Sequence, residues 1–478
     1  MELNRLLYSA GIPHALPARR IDGVTDELSS VDGHTVFVCV RGERYDGHAL
    51  AAAAAAKGAP AVICERPLPL KNAVPVANSR AAFSRLAYVL CEPPGGYPAT
   101  VGVTGTNGKT TTAAYLSAIY SAAGEKCAVI GTLGVRIGDV TLPTAYTTPK
   151  SIDFFRALAA AAGAGCTRCA AEISSLALAQ DRVAAARFVC GAVTNIGEDH
   201  LEAHGGRDAL IEAKTRLCAL SDRMLLNLDD PFVGRFTAAN AGGDTAYYSC
   251  RRRTDLYASS AVNRGGGTEF TLCAAGRKAR LFLPHPGVFS VYNALAACGA
   301  ALLTGVGFAD VCRTVPLLPQ VPGRMQRIDV RGVRFYIDYA HTPEALRAVL
   351  EALKEERPLV VFGCGGERDR AKRPVMGGIA ARYARRVILT SDNPRGEDPL
   401  SIIREIRAGI PPGTPVEEEP DRGRAVALAF ACSSPGDTVL LAGKGHETAQ
   451  EIGGEKRPFS DEQTVSALAF QTPDDTET

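Results

Sequence analysis

Thr100-Val-Gly-Val-Thr-Gly-Thr-Asn-Gly-Lys-Thr-Thr111 is the stretch whose reading decides the fold class. Thr100 to Val103 is a short β-branched run suited to a strand. A glycine loop follows, and Thr110 to Ala123 carries a helical pattern closed by Gly124. A strand that turns through glycines into a helix makes a phosphate cradle, because backbone N–H groups and the helix N-terminus attract anions. The strict phosphate-loop pattern requires glycine where Val103 stands, so the match runs from Gly105 onward. Lys109 is placed to reach the β- and γ-phosphates of a nucleotide, and Thr110 to hold Mg²⁺.

Working outward, two Pro/Gly-rich breaks divide the chain. Glu92-Pro-Pro-Gly-Gly-Tyr-Pro98 is one and Pro316-Leu-Leu-Pro-Gln-Val-Pro-Gly323 the other. They predict units of 1–98, 99–322 and 323–478, in line with the roughly three domains that 478 residues suggest. The last unit has three apolar runs, each ending in a distinctive loop. Leu359–Phe362 precedes Gly363-Cys-Gly-Gly-Glu-Arg-Asp369, Val387–Thr390 precedes Ser391-Asp-Asn-Pro-Arg395, and Val439–Ala442 precedes Gly443-Lys-Gly-His-Glu447. Helical patterns between them imply βαβ units, a mostly parallel sheet and loops converging on its carboxyl edge. The fold class is therefore α/β throughout.

Composition narrows the function classes. Hydrophobic residues are 46% and charged residues 22%, with a net charge of +2, so no global field points to nucleic acid or membrane. No apolar run approaches the roughly 18 residues that span a bilayer, and Ala51–Ala56 reads as a short buried or amphipathic helix. The N-terminus lacks a secretory pattern, so the fourteen cysteines read as reduced, buried hydrophobes. Cys166-Thr-Arg-Cys169 has no second pair at zinc spacing. A cytoplasmic protein is expected, and the tail Thr472–Thr478 should be disordered.

The remaining candidates are dispersed. Glu172 and His200 each follow an apparent strand and could serve a divalent ion near the phosphates, though each taken singly is more often a solvated or hydrogen-bonded residue than a ligand. Arg368 and Arg395 can make bidentate contacts to a carboxylate, and Glu447 can accept from an ammonium. Both signs together suit an amino-acid head group; the plainer alternative is a set of surface salt bridges.

Taken together, the motifs resemble the Mur ligase family from about residue 24 to 465. They are Thr104-Gly-Thr-Asn-Gly-Lys-Thr-Thr-Thr112, Glu172-Ile-Ser-Ser175, Gln180-Asp-Arg182, Asp199-His-Leu201, Glu212-Ala-Lys214, Gly323-Arg-Met325, Asp338-Tyr-Ala-His-Thr-Pro343, Gly363-Cys-Gly-Gly366, Asp392-Asn-Pro-Arg395 and Gly443-Lys-Gly-His-Glu447. The resemblance implies an N-terminal uridine-nucleotide domain, a central ATPase domain and a Rossmann-like C-terminal domain. It implies ATP-dependent addition of an amino acid to the D-glutamate of UDP-N-acetylmuramoyl-L-alanyl-D-glutamate through an acyl phosphate.

The site residues implied by that resemblance are specific. Gly105, Thr106, Asn107, Gly108, Lys109, Thr110 and Thr111 would bind ATP phosphates, and Thr110, Glu172 and His200 would serve Mg²⁺. Lys214 resembles the lysine that is carbamylated in the family. Lys109, Lys214, His200 and Glu172 would carry the chemistry, while Asn293, Arg324 and Asp338 would contact nucleotide. Thr147, Thr148, Ser174, Gln180 and Arg182 would grip the muramoyl-dipeptide. Asp392, Asn393, Pro394, Arg395, Arg368, Gly443 and Glu447 would receive the amino acid. Family members that add meso-diaminopimelate carry the D-N-P-R seen here, which implies that substrate. The alternatives are L-lysine, a related ligase of the D-alanyl-D-alanine-adding or folylpolyglutamate type, and a non-catalytic nucleotide-binding partner. A monomer without nucleic-acid or membrane partners is expected.

The chain also departs from the family pattern. Leu28 and Ser29 stand where serine and arginine are usual in the uridine motif, leaving Ser29 or backbone groups to make that contact. Tyr146 replaces a common asparagine, Leu176 a histidine and Ser290 an asparagine.

Overall fold

The structure is a computed structural model that describes residues 1–42, 45–199 and 201–470. His200 and the tail 472–478, both singled out above, lie outside the described residues.

Three parallel-rich sheets follow one another along the chain. The first has the order Gly23–Thr25, Thr35–Val38, Val62–Cys64, Ala73–Pro75, with every pair parallel. Helix Ser79–Cys91 covers it, burying Ala82, Phe83 and Leu86; Asn78 caps this helix by accepting from the Ala81 N–H. Ala51–Ala56 is a helix that buries Ala51 and Ala54, as its composition suggests.

The second sheet has eleven strands and is built around the phosphate-loop strand Ala99–Thr104. That strand pairs in parallel with Arg168–Glu172 on one side and Cys190–Val193 on the other. Buried on both faces, it reads as a continuous apolar run rather than an alternating one. Gly102 lies in a tight place at its centre, where a Cβ would stand 3.1 Å from the Phe188 ring and press on it. The helix after the loop is Lys109–Ala122, with Gly124 at φ +83° just beyond its end. Its apolar face packs on helix Val288–Leu303, and Leu116, Ile119 and Tyr120 share one core with Ala294, Leu295 and Cys298.

The third sheet has the order Gln326–Val330, Val333–Asp338, Thr438–Ala442, Leu359–Phe362, Arg386–Leu389, Val416–Glu418. Only the first pair is antiparallel. Helices Pro343–Ala352, Lys372–Tyr383 and Pro399–Arg407 pack on one face. Arg422–Ala431 and Asp461–Ala467 cover the other. The three apolar runs predicted as strands are therefore adjacent and parallel, and their loops share one edge. Each fully buried Val or Leu in them contributes roughly 1.5–3 kcal/mol.

Side-chain bonds tie the sheets together unevenly. Between the first and second, Asn78 Nδ2 donates to Asp181 Oδ2 at 2.8 Å, Ser84 Oγ to the Arg182 carbonyl at 3.2 Å, and Lys150 Nζ to Glu27 Oε1 at 2.8 Å. Between the second and third, Asn263 Nδ2 donates to the Ala352 carbonyl at 3.0 Å, and His341 Nε2 lies 3.9 Å from Asp199 Oδ2. No helix among the described residues is long and apolar enough to cross a membrane. All fourteen cysteines are free.

Candidate active site

The phosphate loop leaves its strand at buried Thr104 and turns through Gly105 (φ +146°) and Gly108 (φ +88°). Both glycines are demanded by their surroundings. A Cβ on Gly105 would lie 1.9 Å from Thr194 Oγ1, and one on Gly108 would lie 2.2 Å from Asn293 Oδ1. The predicted nucleotide residue Asn293 thus sits against the loop from helix Val288–Leu303. Asn195 braces the loop, its Oδ1 accepting from the Asn107 N–H at 3.0 Å and its Nδ2 donating to the Asn107 carbonyl at 3.0 Å.

Lys109 folds back on the same loop, donating to the Gly105 and Thr106 carbonyls at 2.9 and 3.0 Å. Burial pushes its pKa below the ordinary lysine value, while Glu172 and Asp199 oppose that and Arg324 adds to it. Beside it, Thr110 Oγ1 donates to Glu172 Oε2 at 2.9 Å. Glu172 is 1% exposed and ends strand Arg168–Glu172. Its Oε1 accepts from the Thr132 N–H at 2.8 Å and its Oε2 from the Thr132 hydroxyl at 3.1 Å. Gly131 makes room for this carboxylate, since a Cβ there would fall 2.0 Å from Glu172 Oε1.

Lys214, on helix Arg207–Ala219, is 2% exposed. Burial, reinforced by the Lys109 charge, holds its pKa well below the ordinary value despite the opposing fields of Asp199 and Asp230. Its amine is therefore biased toward the neutral, nucleophilic form.

A cavity of about 650 Å³ opens over the loop between the second and third sheets. Thr106–Thr111, Thr132, Thr147, Glu172 and Asn293 form its floor, and Arg324, Asp338, Tyr339 and His341 face them from the far side. Arg324 reaches across, with Nη2 3.5 Å from Thr110 Oγ1 and its guanidinium 4.6 Å from the centre of the Tyr339 ring. Asp338 uses its carboxylate to hold backbone, accepting from the Met325 N–H at 2.7 Å and the Ala340 N–H at 2.8 Å. It thereby fixes Met325 in the left-handed region, next to Arg324.

The other predicted substrate residues fall into two groups. Thr147 meets Thr132, hydroxyl to hydroxyl, at 3.1 Å. Thr148 is fully buried; its hydroxyl donates to the Glu172 carbonyl at 2.8 Å and accepts from the Ser174 N–H at 2.9 Å. Ser174 caps helix Ser175–Ala179. Gln180 Oε1 receives Arg182 Nε and Nη2 at 3.1 and 2.8 Å, and the Arg182 guanidinium lies over Tyr146 at 4.6 Å. This group faces the first sheet, where Ser29 is exposed in a short 3₁₀ turn, Leu28–Ser30.

The second group lies at the carboxyl edge of the third sheet. Asn393 Nδ2 donates to Glu447 Oε2 at 2.8 Å. Arg395, at φ +53°, donates from Nη1 to the Gly366 carbonyl at 2.7 Å, and its Nε lies 3.5 Å from Glu451 Oε2. Gly366 packs on Pro394, whose carbonyl would stand 1.9 Å from a Cβ there. Arg368 is exposed on the neighbouring loop. Gly443 (φ +109°) abuts Asp392, whose buried Oδ1 has no hydrogen bond among the described residues and whose pKa burial raises.

Several contributors were not singled out beforehand: Thr132, Thr194, Asn195, Asp199, Asp230, Tyr339 and Lys444. Asp199, Tyr339 and Lys444 lie inside motifs already quoted, so their position was legible but their contacts were not. Thr132 follows the apolar strand Cys127–Gly131 and carries no local signal of its own.

A phosphate loop, a carboxylate held by hydroxyls, a depressed lysine and a facing Rossmann-like unit define an ATP-dependent amide ligase. The chain belongs to the Mur ligase family: residues 20–89 match the model described as Mur ligase family, catalytic domain, 103–301 the Mur ligase middle domain, and 323–445 the Mur ligase, glutamate ligase domain. It is 39% identical to the UDP-N-acetylmuramoyl-L-alanyl-D-glutamate–2,6-diaminopimelate ligase of Pseudomonas aeruginosa, covering 98% of each chain. It is 38% identical to the ligase of the same name from Geobacillus kaustophilus, covering 93% of this chain and 94% of that one. A solved structure of a ligase so named superposes with a TM-score of 0.72 at 32% identity, covering 98% of this chain and 99% of the other.

Proposed function

We propose that this chain joins meso-2,6-diaminopimelate to the γ-carboxylate of D-glutamate in UDP-N-acetylmuramoyl-L-alanyl-D-glutamate, with ATP as the activating co-substrate, in peptidoglycan-precursor synthesis. The observation that carries the reading is the placement of the phosphate loop and Glu172 at the floor of one cavity, with the Asn393–Arg395 and Glu447 loops on the unit that supplies its far wall. The γ-phosphoryl group passes to the glutamate carboxylate, ADP leaves, the incoming amine attacks the acyl carbon, and phosphate departs. This replaces oxide, a poor leaving group, with phosphate, a good one.

The three units, 1–98, 99–322 and 323–478, divide the work between nucleotide-sugar, ATP and amino acid. Residues 105–111 hold the phosphates, with the Lys109 ammonium turned from the loop carbonyls to the transferred group. Asn293 and Arg324 orient the nucleotide, and Asp338 positions Arg324. Arg182, fixed by Gln180 and Tyr146, presents its remaining N–H donors to the dipeptide, with Ser174 and Thr147 beside it.

The donors at Thr110 and Glu172 fit Mg²⁺, which takes hard oxygen ligands and few protein groups when phosphates supply the rest. Among the described residues no three His, Cys, Asp or Glu side chains cluster as a self-sufficient metal site. Bound there with His200, Mg²⁺ would neutralise phosphate charge as the acyl phosphate forms. Lys214, its pKa lowered by burial, takes up CO₂ as a carbamate, releasing a proton, and becomes an anion that can orient a cation. Arg395 and Arg368 meet the distal carboxylate of diaminopimelate, and Glu447 its ammonium; lysine has only a terminal ammonium at that place. The enzyme acts as a cytoplasmic monomer.

The test is amino-acid specificity measured as ADP release. Release is expected only with dipeptide, diaminopimelate and Mg²⁺ together. Equal incorporation of lysine would overturn the diaminopimelate assignment, and release without dipeptide would overturn the substrate assignment altogether.

A further inference from the structure

We infer that Lys444 is the positioning residue that sets Asn393 and Glu447 for the incoming amino acid. The inference rests on the diaminopimelate reading above and adds a group to that site. Lys444 is fully buried where the loop after Thr438–Ala442 meets the loop after Arg386–Leu389. An ammonium has three N–H donors. Here all three are engaged: Glu447 Oε2 at 2.9 Å, Asn393 Oδ1 at 3.1 Å and the Ala449 carbonyl at 2.8 Å.

This tripod fixes the amide of Asn393. Its Oδ1 accepts from Lys444 and from the Glu451 N–H at 3.0 Å, so its Nδ2 must face Glu447. Glu447 Oε2 in turn receives two donors, Lys444 Nζ and Asn393 Nδ2. Its Oε1 makes no hydrogen bond among the described residues, and the side chain keeps 30% exposure. One carboxylate oxygen is thus anchored inside the protein while the other is presented to a ligand cation. The Lys444 charge also separates Glu447 from Asp392, whose unbonded Oδ1 lies 4.0 Å from the ammonium.

A buried point charge of this kind is a poor candidate for direct substrate contact, since every donor is spent. It is a strong determinant of geometry, because removing it takes one donor from each of three acceptors and leaves two carboxylates unscreened. Lys444, Asn393 and Glu447 do not line the cavity over the phosphate loop. Loss of the tripod should therefore fall on the amino acid and spare the nucleotide.

The experiment uses the full chain with Lys444→Met, Lys444→Arg, Glu447→Gln and the Lys444→Met/Glu447→Gln double variant. Initial rates are measured with diaminopimelate, ATP and UDP-dipeptide varied in turn. Lys444→Met is expected to raise KM for diaminopimelate about 10- to 150-fold, the worth of a charged hydrogen bond. KM for ATP and for dipeptide should stay within about twofold, as expected when only one subsite loses binding. The double variant should be no worse than the poorer single one, because Lys444 acts through Glu447. Lys444→Arg keeps the charge and should recover part of the loss; should Lys444→Met not fold, the arginine variant carries the test, with its defect confined to diaminopimelate. An unchanged diaminopimelate KM, additive single effects, or equal rises in all three KM values would overturn the inference. Failure of the parent chain to ligate diaminopimelate would instead overturn the functional reading.

Discussion

At the residue scale the two lysines of the ATP unit are the informative groups. Lys214 is buried with a pKa depressed by burial and by Lys109. Its unfolded form binds a proton more readily than its folded form, so it costs stability below the ordinary lysine range, and that cost shrinks as pH rises toward it. Lys214→Met should therefore abolish ligation yet unfold no earlier than the parent chain in bicarbonate-free buffer near neutral pH; a clear loss of thermal stability would contradict this. With ¹³C-bicarbonate, the parent should show a carbamate carbon resonance that Lys214→Met lacks. His446 gives a second titration. Burial, aided by the nearby Arg324 charge, lowers its pKa to about 4. The ring should stay neutral in NMR spectra at pH 5, and its contribution to stability should fade as pH drops from the ordinary histidine range toward that value. A ring titrating near pH 6.5 would contradict the burial argument.

At the scale of elements, the phosphate loop and the Asn393–Arg395 loop obey the same rule: backbone shape is set by what presses against it. Gly108→Ala places a Cβ against Asn293 in a positive-φ turn. Activity should fall by about 100-fold or more, in keeping with the sensitivity of catalysis to misplacement of about 1 Å, and an active Gly108→Ala enzyme would show that the loop can yield. Arg395 holds a left-handed conformation that backbone bonds at both ends enforce, from Arg395 N–H to the Glu451 carbonyl at 3.0 Å and from Gly453 N–H to the Arg395 carbonyl at 2.6 Å. Arg395→Ala should lower kcat/KM for diaminopimelate about 10- to 150-fold, as loss of a charged hydrogen bond would. Its KM for ATP and for dipeptide should hardly change. A parallel rise in all three KM values would mean that the arginine serves the fold of the unit rather than the amino acid.

For the whole molecule, the uneven bonding between units bears on motion. The first and second sheets are joined by Asn78, Ser84 and Lys150, whereas the cavity separates much of the second from the third. Substrates that bind both walls should draw the third unit inward. Small-angle scattering with ATP analogue, dipeptide and diaminopimelate should show a smaller radius of gyration than the free chain; an unchanged radius would rule out closure. Asn78→Ala removes both a helix cap and an interdomain bond, and should cost about 0.5–2 kcal/mol from the cap alone. Thermal unfolding measures it.

The sequence alone determined the local, periodic features. The strand, glycine turn and helix around residues 100–123, the apolar runs at 359–362, 387–390 and 439–442, and the two Pro/Gly breaks were legible because each depends on neighbours in the chain. The resemblance carried by the quoted motifs nominated most residues of the candidate site. Tertiary structure decided which of these groups meet. Thr132 reaches Glu172 across adjacent strands, Asp338 spends its carboxylate on the backbone beside Arg324, and Thr148 is committed to bracing Glu172 and Ser174. Lys444 was visible as a letter within a motif, but its burial and its bond to Asn393, some fifty residues away, come from the meeting of two loops. Hydrogen-bond saturation and desolvation are properties of a three-dimensional neighbourhood, and no local pattern encodes them.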